Sequence, residues 1–86
     1  MKETPTDAAV TLFVVPHCPL CTRARAWLAQ HEIAFVERDV KREFGALREM
    51  VRLTNQLLVP VFARGGRALV RPSDEQLEEF LVERKS

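Results

Sequence analysis

The chain has 86 residues, which is the size of a single domain. Hydrophobic residues make up 47% of it and the formal net charge is only +1, so the composition excludes intrinsic disorder and a strongly basic nucleic-acid-binding protein. No stretch approaches the roughly 18 uninterrupted apolar residues of a membrane span, and the first residues lack the apolar centre of a signal peptide. We therefore expect a cytoplasmic monomer that binds neither nucleic acid nor a membrane.

Hydrophobic patterning predicts seven elements in the order β-α-β-α-β-β-α. A flexible tail is expected over residues 1–9, followed by a single domain over residues 10–86. Strands are predicted at residues 10–15, 34–39, 61–64 and 67–71, and helices at residues 19–31, 41–54 and after the capping residue Ser73. A parallel β-α-β unit followed by an antiparallel hairpin predicts an α/β fold, with one mixed four-stranded sheet and three helices.

Apolar spacing also predicts which face each helix buries. The stripe of the first helix is Cys21, Ala24, Leu28 and His31, with Trp27 beside it in the core. His31, near the helix end, is expected to be a C-terminal cation or a packed ring. The expected stripe of the second helix is Phe44, Leu47, Val51 and Thr54, with Met50 and Leu53 beside it, and that of the third is Leu77, Phe80 and Leu81.

Cys18 and Cys21 form a Cys-x-x-Cys motif at the start of the first predicted helix. A disulfide that closes so short a loop would brace very little, so the pair indicates redox or metal chemistry. The unpaired N–H groups of a helix N-terminus favour a thiolate at Cys18. Cys21, one turn further in, is expected to be more buried and less acidic. Cys18 is therefore the predicted nucleophile, and Cys21 is predicted to resolve the mixed disulfide.

The segment from Phe13 to Cys21, Phe-Val-Val-Pro-His-Cys-Pro-Leu-Cys, resembles the active-site segment of glutaredoxins. The usual form in that family is Tyr-Thr-Lys-Pro-Gly-Cys-Pro-Tyr-Cys. Further along the chain, Leu58 to Phe62 resemble the family's Thr-Val-Pro segment. The resemblance covers about residues 10–83. It implies a thioredoxin-like fold and a glutaredoxin-like protein-disulfide oxidoreductase without a permanently bound cofactor.

The same resemblance implies a substrate site. It predicts a cis peptide bond before Pro60 and a substrate that pairs with the backbone N–H and C=O of Val59. Ser73 and Asp74 resemble the small-polar and acidic pair of the family, in which Asp74 would bind the amino group of glutathione. Gln56 stands where a cation or a glutamine helps to bind glutathione, so glutathione is an expected co-substrate.

Three departures from the family pattern weaken the expected glutathione site. Val15 stands at the usual lysine position, Leu20 at the tyrosine between the cysteines, and Arg71-Pro72 at a Gly-Gly pair. The Arg-Pro pair resembles the Phe-Arg-Pro segment of redoxins that are reduced by thioredoxin reductase, so that reductase is the alternative electron donor. His17, beside the nucleophile, and Arg71 are expected to modulate the site.

Other functions remain as alternatives. A non-catalytic module could use the predicted substrate groove for protein contacts alone, although the intact cysteine pair disfavours it. Zinc needs four ligands, whereas Cys18, Cys21 and His31 supply only three, so no metal site is predicted. Pro19 departs from the Cys-Gly-Phe-Ser sequence of redoxins that assemble iron–sulfur clusters. We therefore expect a dithiol that reduces protein or small-molecule disulfides.

Overall fold

All seven predicted elements are present, in the predicted order, in the computed structural model, which describes residues 9–82. The strands are β1 (Val10–Val14), β2 (Phe35–Asp39), β3 (Val61–Arg64) and β4 (Arg67–Val70). The helices are α1 (Pro19–Gln30), α2 (Phe44–Thr54) and α3 (Asp74–Leu81). The predicted tail over residues 1–9 lies almost wholly outside the described residues. Among residues 9–82, no helix is both long enough and apolar enough to cross a bilayer.

The four strands form one mixed sheet in the order β2-β1-β3-β4. β1 runs parallel to β2, with Val10 opposite Phe35, and antiparallel to β3, which in turn pairs antiparallel with β4. Leu12 and Phe13 in β1 are 0% and 1% exposed, because helices cover both faces of this central strand. The mixed four-stranded sheet predicted from the sequence is therefore confirmed.

Two short connections have the backbone conformation that their residues favour. Gly65 and Gly66 join β3 to β4 with φ values of 59° and 80°, a left-handed pair that suits a two-residue hairpin turn. Asn55 ends α2 with a left-handed φ of 57°, and its N–H donates to the carbonyl of Val51. The glycine turn reverses the chain so that β4 pairs with β3, and β3 itself starts beside the end of β1, with Val61 opposite Phe13.

α1 packs on the sheet through four buried residues: Cys21, Ala24, Trp27 and Leu28. The predicted stripe is confirmed at its first three positions, but His31 is exposed and lies just beyond the last helical residue. The imidazole ring of His31 stacks on the Trp27 ring, with the two ring centroids 3.8 Å apart. His31 is therefore not buried, but its ring packs on Trp27 at the end of the helix, which is one of the two roles predicted for it.

α2 begins later than predicted, and its buried face is centred on Ala46 and Met50, with Leu47 and Leu53 partly buried beside them. The Asp39 carboxylate accepts hydrogen bonds from the backbone N–H groups of Lys41 and Arg42, which closes a turn and delays the helix to Phe44. Phe44 is 71% exposed, so its prediction as a buried residue is wrong. The helix instead buries Ala46 and Met50.

Candidate functional site

Cys18 is the N-cap residue of α1, at the carboxyl end of the central strand β1. Its backbone is extended (φ −113°, ψ 109°), and Pro19 occupies the first helical position, where a missing N–H costs no hydrogen bond. The Cys18 Sγ accepts a hydrogen bond from the backbone N–H of Cys21 at 3.2 Å. The sulfur thus accepts the capping hydrogen bond that a serine or aspartate oxygen commonly accepts at a helix N-terminus.

The environment of Cys18 stabilises its thiolate. Burial of the sulfur by itself raises the pKa, but the surrounding hydrogen-bond donors outweigh this effect. These donors are the Cys21 thiol and the backbone amides of Cys21 and Leu20, and the positive charge of Arg71 adds to them. The pKa of Cys18 is therefore lowered from its usual value of about 8.5, so at neutral pH more of it is ionised than of a free cysteine.

Cys21 has the opposite character. Its side chain is 0% exposed and belongs to the hydrophobic core beneath α1. Burial, and then the hydrogen bond to Cys18, raise the pKa of Cys21 to about 11. Cys21 is therefore a neutral thiol at neutral pH, and the contrast in burial and acidity predicted for the two cysteines is present. Neither cysteine is in a disulfide in this structure.

The cis-proline segment carries a contact that the sequence did not lead us to expect. The Val59–Pro60 peptide bond is cis, as predicted, and both residues are buried. The carbonyl of Pro60 accepts from the Arg71 backbone N–H at 3.0 Å, and that of Val59 accepts from the Arg71 Nε at 2.7 Å. The Val59 carbonyl therefore already has a partner within the protein. The expectation that Val59 offers its N–H and C=O to a substrate stays a prediction, in which the carbonyl would use its second lone pair.

A groove of about 500 Å³ lies between α1 and the start of α3. Five residues of the predicted site or its motif line this groove: Leu20, Pro60, Arg71, Ser73 and Asp74. Sequence reasoning missed the contribution of α1, which adds Arg23, Trp27 and Gln30 to the wall. The signal was their spacing by four and three residues, which puts them on one helical face. The groove thus extends from Leu20, which directly precedes Cys21, to the start of α3.

Ser73 and Gln56, two predicted binding residues, both make hydrogen bonds within the protein. Ser73 caps α3, since its Oγ accepts from the Gln76 N–H and its own N–H donates to the Gln76 Oε1. Its hydroxyl is thus already occupied by the capping box that the sequence predicted. Gln56 lies just after α2, where its backbone N–H and C=O both pair with the Thr54 hydroxyl. In the described part of the chain, Gln56 does not line the groove beside α1.

The remaining predicted residues lie at the surface. Asp74 is the exposed first residue of α3, at the mouth of the groove. His17 is also exposed and has a left-handed backbone with φ of 58°, directly before Cys18. Within residues 9–82, no three His, Cys, Asp or Glu side chains come together as a metal site requires. The chemistry that this arrangement supports is that of one activated and one shielded thiol.

Known proteins share both the sequence pattern and the architecture. The family model described as Glutaredoxin matches residues 10–69. Among solved structures, the glutaredoxin of Archaeoglobus fulgidus superposes with a TM-score of 0.79 at 18% identity, over 95% of this chain and 98% of that one. A glutaredoxin of Methanosarcina mazei Go1 superposes with a TM-score of 0.80 at 18% identity, over 90% and 81% of the two chains. The thioredoxin-like fold is thereby confirmed.

One similar protein is described as a transcriptional regulator and not as a glutaredoxin. The global transcriptional regulator Spx of Bacillus subtilis (strain 168) is 44% identical over 48 residues. This match covers 52% of the present chain and 37% of the regulator. The chain thus spans little more than a third of the length of the curated relative.

Proposed function

The chain belongs to the glutaredoxin family, and from this premise we propose that it is a thiol–disulfide oxidoreductase with Cys18 as nucleophile and Cys21 as resolving thiol. The observation that carries the proposal is the contrast between the two sulfurs. Cys18 sits at the N-terminus of α1 with a lowered pKa, whereas Cys21 is buried with a pKa raised to about 11. Disulfide exchange needs one thiolate that attacks and one thiol that is held back until the mixed disulfide has formed.

The proposed reaction transfers two electrons from the dithiol to the substrate. The Cys18 thiolate attacks one sulfur of a disulfide, so that a Cys18–substrate S–S bond forms and the second substrate sulfur leaves with the electron pair as a thiolate. That thiolate, or water, takes the proton of Cys21. The Cys21 thiolate then attacks the Cys18 sulfur and expels the first substrate sulfur, which leaves Cys18 and Cys21 joined by a disulfide.

Protein disulfides are the proposed main substrates. Leu20, between the cysteines, is 42% exposed, and Leu58, just before the cis-proline segment, is 45% exposed. Exposed apolar side chains beside a reactive sulfur favour contact with another protein over a small charged peptide. The Val59 backbone and Pro60 would still receive an extended substrate segment, and Asp74 would bind an amino group at the groove mouth.

The proposed electron donor is a reductase of the thioredoxin-reductase type, with glutathione as a slower donor. Glutathione carries two carboxylates and an ammonium group, so its site needs charged partners. Val15 offers no cation, Leu20 offers no hydroxyl, and the Val59 carbonyl already accepts one hydrogen bond from Arg71. Each charged hydrogen bond lost weakens binding by about 1.5–3 kcal/mol, or about 10- to 150-fold.

The experiment that tests the function and its donor is an assay of NADPH consumption with a model protein disulfide. The reduced chain is supplied either with thioredoxin reductase or with glutathione and glutathione reductase. We expect multiple turnovers, faster with thioredoxin reductase, and a faster glutathione-coupled rate in the Val15→Lys/Leu20→Tyr variant. Absence of turnover with both systems would refute the function. Fast glutathione-coupled turnover without a gain in the variant would refute only the proposed donor.

A second candidate is a redox-responsive binding module, and the observation that favours it is the similarity to the transcriptional regulator Spx. In such a module the Cys18–Cys21 pair would switch between dithiol and disulfide to control contact with a partner. The same assay separates the two candidates. A module consumes at most one equivalent of reductant per chain, whereas an oxidoreductase turns over many equivalents of substrate.

A further inference from the structure

Arg71 holds an unusual position beside the cysteine pair. It follows the last residue of β4 with a left-handed φ of 46°, a conformation that favours glycine and destabilises most other residues. Its backbone N–H donates to the Pro60 carbonyl and its Nε donates to the Val59 carbonyl at 2.7 Å. A residue with a strained backbone persists where its surroundings hold it, and such residues concentrate at functional sites.

The side chain of Arg71 also acts on the nucleophile. Its positive charge is among the influences that lower the pKa of Cys18, after the hydrogen bonds from Cys21 and Leu20. Arg71 lines the same groove as Leu20, the residue that directly precedes Cys21, and as Pro60 of the cis-proline segment. Val15, three residues before Cys18, is half-buried and carries no charge.

We propose that Arg71 is a positioning residue of the disulfide-exchange site, whose guanidinium is fixed on the Val59 carbonyl so that its positive charge stabilises the anionic sulfur of Cys18. This inference rests on the proposed function, because a charge beside Cys18 matters only if that sulfur reacts. An arginine suits this position because its guanidinium keeps its positive charge, and has further N–H donors, while the Nε–H is hydrogen-bonded to Val59.

The test compares Arg71→Met, Arg71→Gly and Arg71→Lys with the wild-type chain. The control is Arg67→Met, which also removes one positive charge but lies at the far end of β4, about 13 Å along the strand. The pH dependence of Cys18 alkylation by iodoacetamide is measured without any substrate, together with the thermal midpoint and the disulfide reduction rate at pH 7.

We expect Arg71→Met and Arg71→Gly to slow Cys18 alkylation at pH 6 by about 3- to 10-fold and to move its midpoint toward higher pH. Arg71→Lys should restore most of the alkylation rate, and Arg67→Met should match the wild type. Arg71→Gly relieves the left-handed backbone but also removes the Val59 contact, so the thermal midpoint serves to show that each variant is folded under the assay conditions. Disulfide reduction should fall in parallel with alkylation.

A purely structural arginine would change stability alone. The alkylation profiles of all folded variants would then coincide with that of the wild type, whatever their thermal midpoints. Coincident profiles overturn the inference even if the chain reduces disulfides. Conversely, shifted profiles in a chain without turnover uphold the charge effect and refute only the proposed function.

Discussion

Cys18→Ser should abolish disulfide reduction, with a loss of more than about 1,000-fold, because a serine hydroxyl is not ionised at neutral pH and cannot form a mixed disulfide. Cys21→Ser should behave differently. In this variant Cys18 still lies at the helix N-terminus and still accepts the hydrogen bond from the backbone N–H of residue 21. Cys18 can therefore still attack the substrate disulfide. That variant should therefore accumulate a mixed disulfide with the substrate, which an external thiol can resolve.

The measurement is mass spectrometry of each variant after incubation with a protein disulfide, next to the rate of NADPH consumption. Cys21→Ser should gain the mass of the substrate chain, and dithiothreitol should remove it. Cys18→Ser should gain nothing. Trapping by Cys18→Ser but not by Cys21→Ser would reverse the assignment of nucleophile and resolving thiol.

The reduced protein should lose stability as the pH rises from about 8.5 to 11, because of Cys21. In the unfolded chain this thiol ionises near 8.5, whereas in the folded chain its pKa is raised to about 11. Between these values the unfolded state releases a proton that the folded state keeps, so the free energy of unfolding falls with pH. The full difference amounts to about 3 kcal/mol. Cys18 has a lowered pKa, so above 8.5 it is ionised in both states and adds no further loss.

Urea unfolding at pH 8 and pH 10.5 measures this effect, and the chain contains no tyrosine whose titration would confuse it. Cys21→Ala should be less stable at pH 8 but should lose much less between the two pH values. The oxidised wild type, which has no free thiol, should show the same weak dependence. An equal loss in all three proteins would show that Cys21 is not the group responsible.

The order of elements and the character of the cysteine pair could be predicted from the sequence because local features determine them. The apolar run of β1 requires burial on both faces, and Gly65-Gly66 admits the left-handed hairpin turn. The helix start at Pro19 puts Cys18 where backbone N–H groups lack partners, while Cys21 falls one turn inside. Each of these features has a signal in neighbouring residues of the sequence, whichever distant segments later pack against them.

The features that were mispredicted do depend on such contacts. Phe44 begins α2 exposed because the Asp39 carboxylate closes a turn that sets where the helix starts and which face it buries. The contact of Arg71 with Val59 joins residues twelve positions apart and requires a left-handed backbone. No local pattern predicts that conformation for an arginine.

The central claim is that Cys18 is the reactive thiolate and Cys21 the shielded thiol, and site-resolved alkylation of the reduced wild-type chain tests it most directly. A limiting amount of iodoacetamide is added at pH 7, and fragment ions that separate residues 18 and 21 locate the label. A pKa of about 11 leaves about one Cys21 side chain in 10,000 ionised at this pH, so label should accumulate on Cys18 almost alone. Equal labelling of the two cysteines, or faster labelling of Cys21, would contradict the account.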